Sequence, residues 1–501
     1  MIPILIAFLL LFNLFLVGFF NLRYLIFSNI KIKIPKYKDL ERKIILPVII
    51  PVKNEDENFI ISKIEHLKKL RSPNSNLEIL FVFVDDTEIQ KEINLLNYLK
   101  KNSYFNYSDR NFYIFDLGSV KYFFRLSGRK RKGEALKDII RYLIEKYRIE
   151  YFSVYDIEWT ITPDYLYKAV CILESNPNIS FVYWNRRTVP IDYLHKLIGI
   201  YVDMFHEITL PMKNVLDGIA MVNGSCGVIK VKDYLDSGEF TGHITEDADL
   251  TVRMYLKGYS GIFIRDWIEY GQNLPPNFNM AIKTIRRWQT GTFDVTYRNL
   301  FKIIRSKKLN LLQKLSLIDL FSSMFSPILI VLPILIISII SIVFKIQSEY
   351  WLYLSPIFYF ITLFVITVLI FQYYVTEKRI YGRGSFKDAF LVLLISWGLS
   401  ALTIFYQLKR IIIGYEDKWI VTRKSATSYK IDPLAISIFI FFFIINVYFL
   451  IYLVSVNFQY FSYYSVFNLT IGALPIYIWI LSTSFLIYLK IYYKNYKKLA
   501  K

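Results

Sequence analysis

Three acidic clusters in this chain have spacings that suit chemistry. In Gly242-His243-Ile244-Thr245-Glu246-Asp247-Ala248-Asp249-Leu250, continuing through Arg253 to Gly258, Thr245 suits a helix N-cap and Asp247 falls in the first turn. A carboxylate there can take a proton from an attacking hydroxyl, although the same residues also make a well-capped surface helix. In Tyr155-Asp156-Ile157-Glu158-Trp159 two carboxylates at i and i+2 follow an apolar run, within reach of one hard cation. Such a cation would neutralise a diphosphate and help it depart. Asp85 and Asp86 end another apolar run. Adjacent carboxylates repel, so they call for a partner such as uracil, ribose or a cation, or for an ordinary turn.

Cations and aromatics fall between these clusters. Pro51-Val52-Lys53-Asn54-Glu55 closes the first apolar run of the sheet region and can meet a base or ribose, or simply start a helix. Arg129-Lys130-Arg131-Lys132 leads through Gly133 into a helical pattern, a cationic approach to a helix N-terminus that matches a diphosphate or remains a solvated charge run. Arg286-Arg287-Trp288 with Gly291 joins cations for a pyrophosphate to an aromatic face for a sugar, and a membrane-border anchor uses the same residue types.

These residues need a scaffold, and the pattern between Lys43 and Asp266 supplies one. Short β-branched runs alternate with amphipathic stretches, as in a βαβ sheet domain. Strands are expected over Lys43 to Val52, Leu77 to Asp85, Asn111 to Phe115, Tyr151 to Tyr155 and Ile179 to Trp184, with helices such as Glu55 to Leu70 and Gly133 to Tyr147. The chemistry-bearing segments then fall at strand ends, where open α/β sheets bind ligands.

Ile2 to Phe20 is apolar and of bilayer length, so residues 1–28 are expected to form an anchor. Arg23, Lys31, Lys33, Lys36 and Lys38 after it place the sheet domain, residues 43–266, in the cytoplasm by the positive-inside rule. Residues 267–324 carry the Arg-Arg-Trp motif and an apolar-faced stretch, Asn310 to Ser323, that reads as an interfacial helix or a buried helix of the sheet domain. Residues 325–501 hold apolar runs near 325–345, 351–373, 388–411, 433–454 and 468–489. Making 388–411 interfacial or re-entrant keeps the basic loop 409–431 and the Lys-rich tail on the cytoplasmic side, which gives a multi-pass cell-membrane protein of five spans.

Composition agrees with this division. Of 501 residues 54% are hydrophobic, and the formal charge of +20 borders apolar runs, which suits anionic lipid and argues against nucleic acid. Two cysteines and four histidines exclude a disulfide framework and a multi-His zinc centre, so catalysis must rest on carboxylates and basic groups.

Taken in order, Pro51 to Glu55, Asp85-Asp86, Lys132-Gly133-x-Ala135-Leu136, Asp156-x-Glu158, Asn223-Gly224-Ser225, Thr245-Glu246-Asp247 and Arg287-Trp288-x-x-Gly291 resemble glycosyltransferase family 2. The resemblance is to its membrane branch of cellulose, chitin and hyaluronan synthases and ceramide glucosyltransferases. Trp419-x-x-Thr422-x-Lys424 is similar to the gating segment of the polymerising members, and the whole likeness runs over roughly residues 45 to 425. It implies an α/β GT-A domain, with a mixed, mainly parallel sheet and flanking helices, joined to an α-helical transmembrane region. It further implies a UDP-sugar donor, Mg2+ or Mn2+, and inversion by direct displacement.

By the same resemblance Pro51, Asn54, Glu55, Asp85, Asp86 and Lys132 would hold the donor nucleotide, and Asp156 with Glu158 the metal. Asp247 would be the base, Glu246, Arg287 and Trp288 would border acceptor and diphosphate, and Trp419, Thr422 and Lys424 would gate. The chain departs from the family at Glu158 in place of Asp, at Thr284 in place of Gln or Arg, and at Thr87-Glu88 after the Asp pair. The implied reaction is extension of a glycan, against single-sugar transfer to a lipid such as a polyprenyl phosphate or ceramide-like acceptor. A non-catalytic nucleotide sensor is the reading from another class.

Overall fold

The computed structural model describes residues 2–126, 131–271, 278–322, 349–414 and 444. In chain order the strands are β1 (Ile44–Val52), β2 (Leu77–Asp85), β3 (Phe105–Asp109), β4 (Phe112–Asp116), β5 (Val120–Arg125), β6 (Tyr151–Val154), β7 (Ile179–Thr188), β8 (Gly227–Lys230) and β9 (Ser260–Gly271). They form one sheet in the order β3-β4-β5-β2-β1-β6-β8-β7-β9.

The pairs β1/β2, β1/β6, β2/β5 and β7/β9 are parallel, and β3/β4, β4/β5, β6/β8 and β7/β8 antiparallel. The sheet is therefore evenly mixed rather than mainly parallel. The difference comes from strands the sequence pattern did not announce. β3 is polar and exposed at an edge, β8 has four residues, and charges interrupt β9, which also carries the sheet domain on to Gly271.

β2 shows how the sheet is fixed. Its run Leu-Glu-Ile-Leu-Phe-Val-Phe-Val is apolar on nearly every residue because both faces are covered. Leu80, Val82 and Val84 enter one core with the helices Lys132–Tyr147 and Glu246–Lys257, while Leu77, Ile79, Phe81 and Phe83 enter the other with Glu57–Leu67 and Pro163–Ser175. The C-terminal ends of β1, β2 and β6 open together, and the order turns at β1, which builds a crevice there.

Helix Leu311–Ser322 buries Leu317 and Leu320 in the first of these cores, and Lys213 Nζ reaches Ser316 O at 3.2 Å and the Asp319 carboxylate. Its Leu311 and Leu315 are exposed. Ile2–Phe27 is helical and lies along Glu349–Tyr381, with Gln372 Nε2 donating to Asn21 O at 2.9 Å. Residues 388–411 fall within one continuous helix, Phe386–Ile413. Among the described residues one helical stretch, Phe360–Tyr381, is long and apolar enough to cross a membrane, and Phe15–Phe27 is a shorter apolar stretch. The runs 325–345, 433–454 and 468–489 lie outside the described residues, apart from residue 444.

Candidate active site

At the crevice, Pro51, Lys53, Glu55, Asp86, Lys132, Asp156, Glu158, Arg186, Asn223, Glu246, Asp247, Thr284, Arg287 and Trp288 line one cleft open to solvent. Segments far apart in sequence thus meet on the face of the sheet that carries the Lys132 and Glu246 helices.

Strand alternation separates the two aspartates after β2. Asp86 follows Val84 into the cleft, where Arg125 Nη1 stands 3.1 Å from Oδ1 and Lys53 Nζ 3.7 Å from Oδ2. Its Oδ2 is buried and accepts no hydrogen bond, the state of an acceptor facing a ligand site. Asp85 turns to the opposite face, fully buried, where it accepts from Thr87 N at 2.7 Å and from the Tyr122 hydroxyl. Asn54 does not line the cleft either. It sits at φ 51° and donates its backbone N–H to Thr87 Oγ1 at 2.7 Å, tying the β1 and β2 loops together.

Lys132 opens its helix with Nζ 2.7 Å from Asp156 Oδ1 and 3.6 Å from Glu246 Oε1. Burial alone would lower its ammonium, but Asp156 and then Glu246 outweigh this and hold it above the ordinary lysine value. Burial likewise raises the Glu246 and Asp247 carboxyls, with Lys132 pulling the other way in each. Arg131 donates to Gly242 O, while Arg129 and Lys130 lie outside the described residues.

Asp247 is the second residue of its helix, and Oδ1 accepts the Ala248 N–H at 2.8 Å. Thr245 holds the N-cap position without capping by its side chain, contrary to expectation. Its hydroxyl lies 3.2 Å from His243 Nδ1, because its side chain is pressed against Gly291, where an added Cβ would stand 2.8 Å from Thr245 Oγ1. On helix Phe278–Arg305, Thr284, Arg287, Trp288, Gly291 and Asp294 recur at i+3 and i+4 steps and so share a face. That face closes the cleft and braces the loop before Asp247.

Asp156 and Glu158 are hard oxygen donors on the loop after β6, in the same cleft as Lys132. Among the described residues no group of three or more metal-ligating side chains comes together. The two carboxylates fit Mg2+ or Mn2+ in the mode in which substrate phosphates and water complete the shell.

Ten expected residues therefore line one cleft: Pro51, Glu55, Asp86, Lys132, Asp156, Glu158, Glu246, Asp247, Arg287 and Trp288. Asn54 and Asp85 stand behind it, and Trp419, Thr422 and Lys424 lie outside the described residues. Lys53, within the segment read as meeting a base or ribose, lines the cleft too, and sequence reasoning missed Arg186. The signal for Arg186 was the pair Arg186-Arg187 ending a strand, since alternation must turn one of them to each face.

Residues 152–375 match the family model described as glycosyl transferase family group 2. That match and the relatives below support a family 2 glycosyltransferase. The matched stretch contains Asp156, Glu158, Arg186, Asn223, Asp247, Arg287 and Trp288. The chain is similar to glucomannan 4-beta-mannosyltransferase 1 of Oryza sativa subsp. japonica, 24% identical over 203 residues, 40% of this chain and 39% of that protein. It is similar also to glucomannan 4-beta-mannosyltransferase 2 of Arabidopsis thaliana, 25% identical over 203 residues, 40% and 38% of the two chains. It thus spans about two fifths of the length of these curated relatives. Among solved structures, a mannosyltransferase from Pyrobaculum calidifontis in complex with GDP-Man and Mn2+ aligns at 15% identity and TM-score 0.47, covering 75% of this chain and 98% of that one.

Proposed function

We propose that this chain is an inverting GT-A glycosyltransferase that moves a hexose from a nucleotide sugar, a UDP-sugar by its family resemblance, to a growing glycan. The observation that carries this is the convergence of Asp247, the Asp156 and Glu158 pair, and Arg287 with Trp288 in one cleft. The hexosyltransferase relatives support the reaction class.

In this reading Asp86 and Lys53 meet the nucleoside, while Lys132 and Arg287 meet the diphosphate. Asp156 and Glu158 would hold Mg2+ or Mn2+, which supplies charge neutralisation to the diphosphate as it leaves. Trp288 offers an aromatic face to the sugar. The acceptor hydroxyl attacks the anomeric carbon as the bond from that carbon to the diphosphate oxygen breaks. The hydroxyl proton passes to Asp247, and the nucleoside diphosphate leaves with the bonding pair. Burial favours Asp247 for this work because it makes the ionised carboxylate a stronger base than a surface aspartate. No enzyme nucleophile is needed, since one face of the sugar holds the base and the other the leaving group.

The test is nucleoside diphosphate release by the purified full chain in detergent, across UDP- and GDP-sugars with Mn2+ or Mg2+, with products sized. Metal-dependent release from one donor and a ladder of products supports glycan extension. Release with a single-sugar glycolipid product replaces the acceptor by a lipid. Nucleotide binding without turnover on any donor and acceptor pair overturns the catalytic reading in favour of a sensor.

A further inference from the structure

Arg186 is a buried cation that the reaction just described does not use. It lies in the second half of β7, turned into the cleft, while Arg187 turns away to pair with Glu207 at 2.6 Å. Its guanidinium stands over the Trp159 ring at 5.4 Å, and it donates Nε to His206 Nε2 and Nη2 to Asn223 Oδ1, both at 3.2 Å. His206 brings no negative charge and, as the acceptor at Nε2, is the neutral ring. Burial, then the Arg186 charge, hold its pKa far below the ordinary histidine value.

Among the described residues no carboxylate pairs with Arg186, whereas Lys132, Arg125 and Arg187 each have one. Its hydrogen-bonded partners are neutral and the Asp247 carboxylate acts on it only through space, so the cost of its burial falls when an anion arrives in contact. A second donor waits beside it. Asn223 is 4% exposed and lines the cleft, and its Nδ2 is buried without a hydrogen-bond partner. One charged fork and one amide thus meet at the cleft through the Nη2 to Oδ1 contact, with the amide N–H2 left unpaired.

The sheet order places this pair. Residues that meet the nucleoside come from the ends of β1 and β2, and the Asp156 loop from β6. Arg186 comes from β7 and Asn223 from the segment entering β8, on the far side of β6. The next residue, Gly224, stands directly against Asp247, since an added Cβ would lie 2.6 Å from Oδ2.

We propose that Arg186 and Asn223 form an oxyanion subsite for a substrate phosphate on the Asp247 side of the cleft. The planar fork matches the tetrahedral oxygens of a phosphate, and the amide adds a third N–H direction. Two sources share this chemistry, the diphosphate of the donor and a phosphate carried by the acceptor. The subsite rests on the reading of the cleft as a nucleotide-sugar site, so its test reads binding and not turnover, and either can fail without the other.

The full chain in detergent is titrated calorimetrically with UDP, GDP, a short-chain prenyl phosphate and the matching prenol, in the presence of Mn2+, as wild type and as Arg186→Gln, Arg186→Lys and Asn223→Asp. A loss of about tenfold or more in UDP or GDP affinity in Arg186→Gln, partly restored in Arg186→Lys, assigns the subsite to the donor. The same loss confined to the prenyl phosphate, with the prenol unaffected, assigns it to the acceptor. Asn223→Asp sets a carboxylate against Nη2 at the existing spacing, so it should keep or raise the melting temperature while weakening the same ligand. It keeps the test alive if Arg186→Gln does not fold. Folded Arg186→Lys and Asn223→Asp proteins that bind all four probes within about twofold of wild type overturn the proposal, as does a wild type that binds none of them.

Discussion

Asp294 Oδ2 stands 2.8 Å from His243 Nε2, and the same carboxylate takes the Arg410 guanidinium and, at 2.8 Å, Arg298. His243 precedes Asp247 by one turn of chain, and its Nδ1 accepts the Thr245 N–H at 3.1 Å, so its Nε2 proton faces Asp294. The loop carrying the base is thereby fastened to helix Phe278–Arg305 and to the last turn of helix Phe386–Ile413. Asp294→Asn should lower kcat about tenfold with donor KM little changed, because it loosens the loop without touching the nucleotide. His243→Ala should do the same, and the double variant should lose no more than either alone.

Asp294 also carries a stability signature. Burial would raise its carboxyl, but the hydrogen bonds from His243 and Arg410 outweigh it and bring it down to about 2. A carboxylate lowered on folding stabilises the protein above its unfolded value, and the contribution is lost as pH falls through the folded one. Melting temperature between about pH 5 and pH 2 should therefore fall more steeply for wild type than for Asp294→Asn.

Much of this arrangement was legible in the sequence. Runs such as Leu77–Asp85 announce strands by unbroken apolar content, and ordered carboxylates at strand ends announce the crevice. The assignment of the Asp85 and Asp86 pair was open, yet period-two alternation from Val82 and Val84 already turns Asp86 to their side. The contact of His243 with Asp294 was not legible, because 51 residues separate them and it exists only once two helices have crossed. Arg186 was hidden for a related reason. Its partners His206 and Asn223 come from a π-helical turn, Phe205–Thr209, and from a loop, neither of which has a periodicity to read.

The two aspartates should separate in mutants. Asp86→Asn should raise donor KM and weaken nucleoside diphosphate binding by about tenfold, since its open Oδ2 faces the cleft. Asp85→Asn should leave that affinity alone. Equal losses of affinity in both would contradict the alternation argument.

Glu92 offers a pH readout on the far side of the sheet. It is buried beside Asp85, and burial, then the Asp85 charge, raise its carboxyl well above the usual range. An acid raised on folding costs nothing below its unfolded value, and stability is lost as pH climbs from about 4.3 toward the folded value. Glu92→Gln removes that loss. Wild type should lose melting temperature between about pH 5 and pH 8, and the variant should lose less, with the two closest at the acid end.

Gly224 sits at φ 66°, and a Cβ there would stand 2.6 Å from Asp247 Oδ2. Gly224→Ala therefore combines a left-handed backbone, which costs an L-residue about 1–2 kcal/mol, with displacement of the base. Activity should fall about a hundredfold for a shift of the order of 1 Å. Nucleoside diphosphate binding should change little, and a folded variant with full activity would argue against Asp247 acting from this position.

Asp247→Asn is the sharpest test of the base. The amide keeps the shape and can still accept the Ala248 N–H, so loop geometry is preserved. It cannot accept a proton, and kcat should fall by about 10^2 to 10^4 while nucleoside diphosphate affinity stays within about twofold. Removing a carboxylate whose charged form burial disfavours should also raise the melting temperature at neutral pH. That pairing of lower activity with higher stability separates a base from a structural anchor, because an anchor replaced by an amide would lose stability. A variant that turns over at the wild-type rate would move the proton to another group, with Glu246, the adjacent buried carboxyl in the same cleft, next to be substituted.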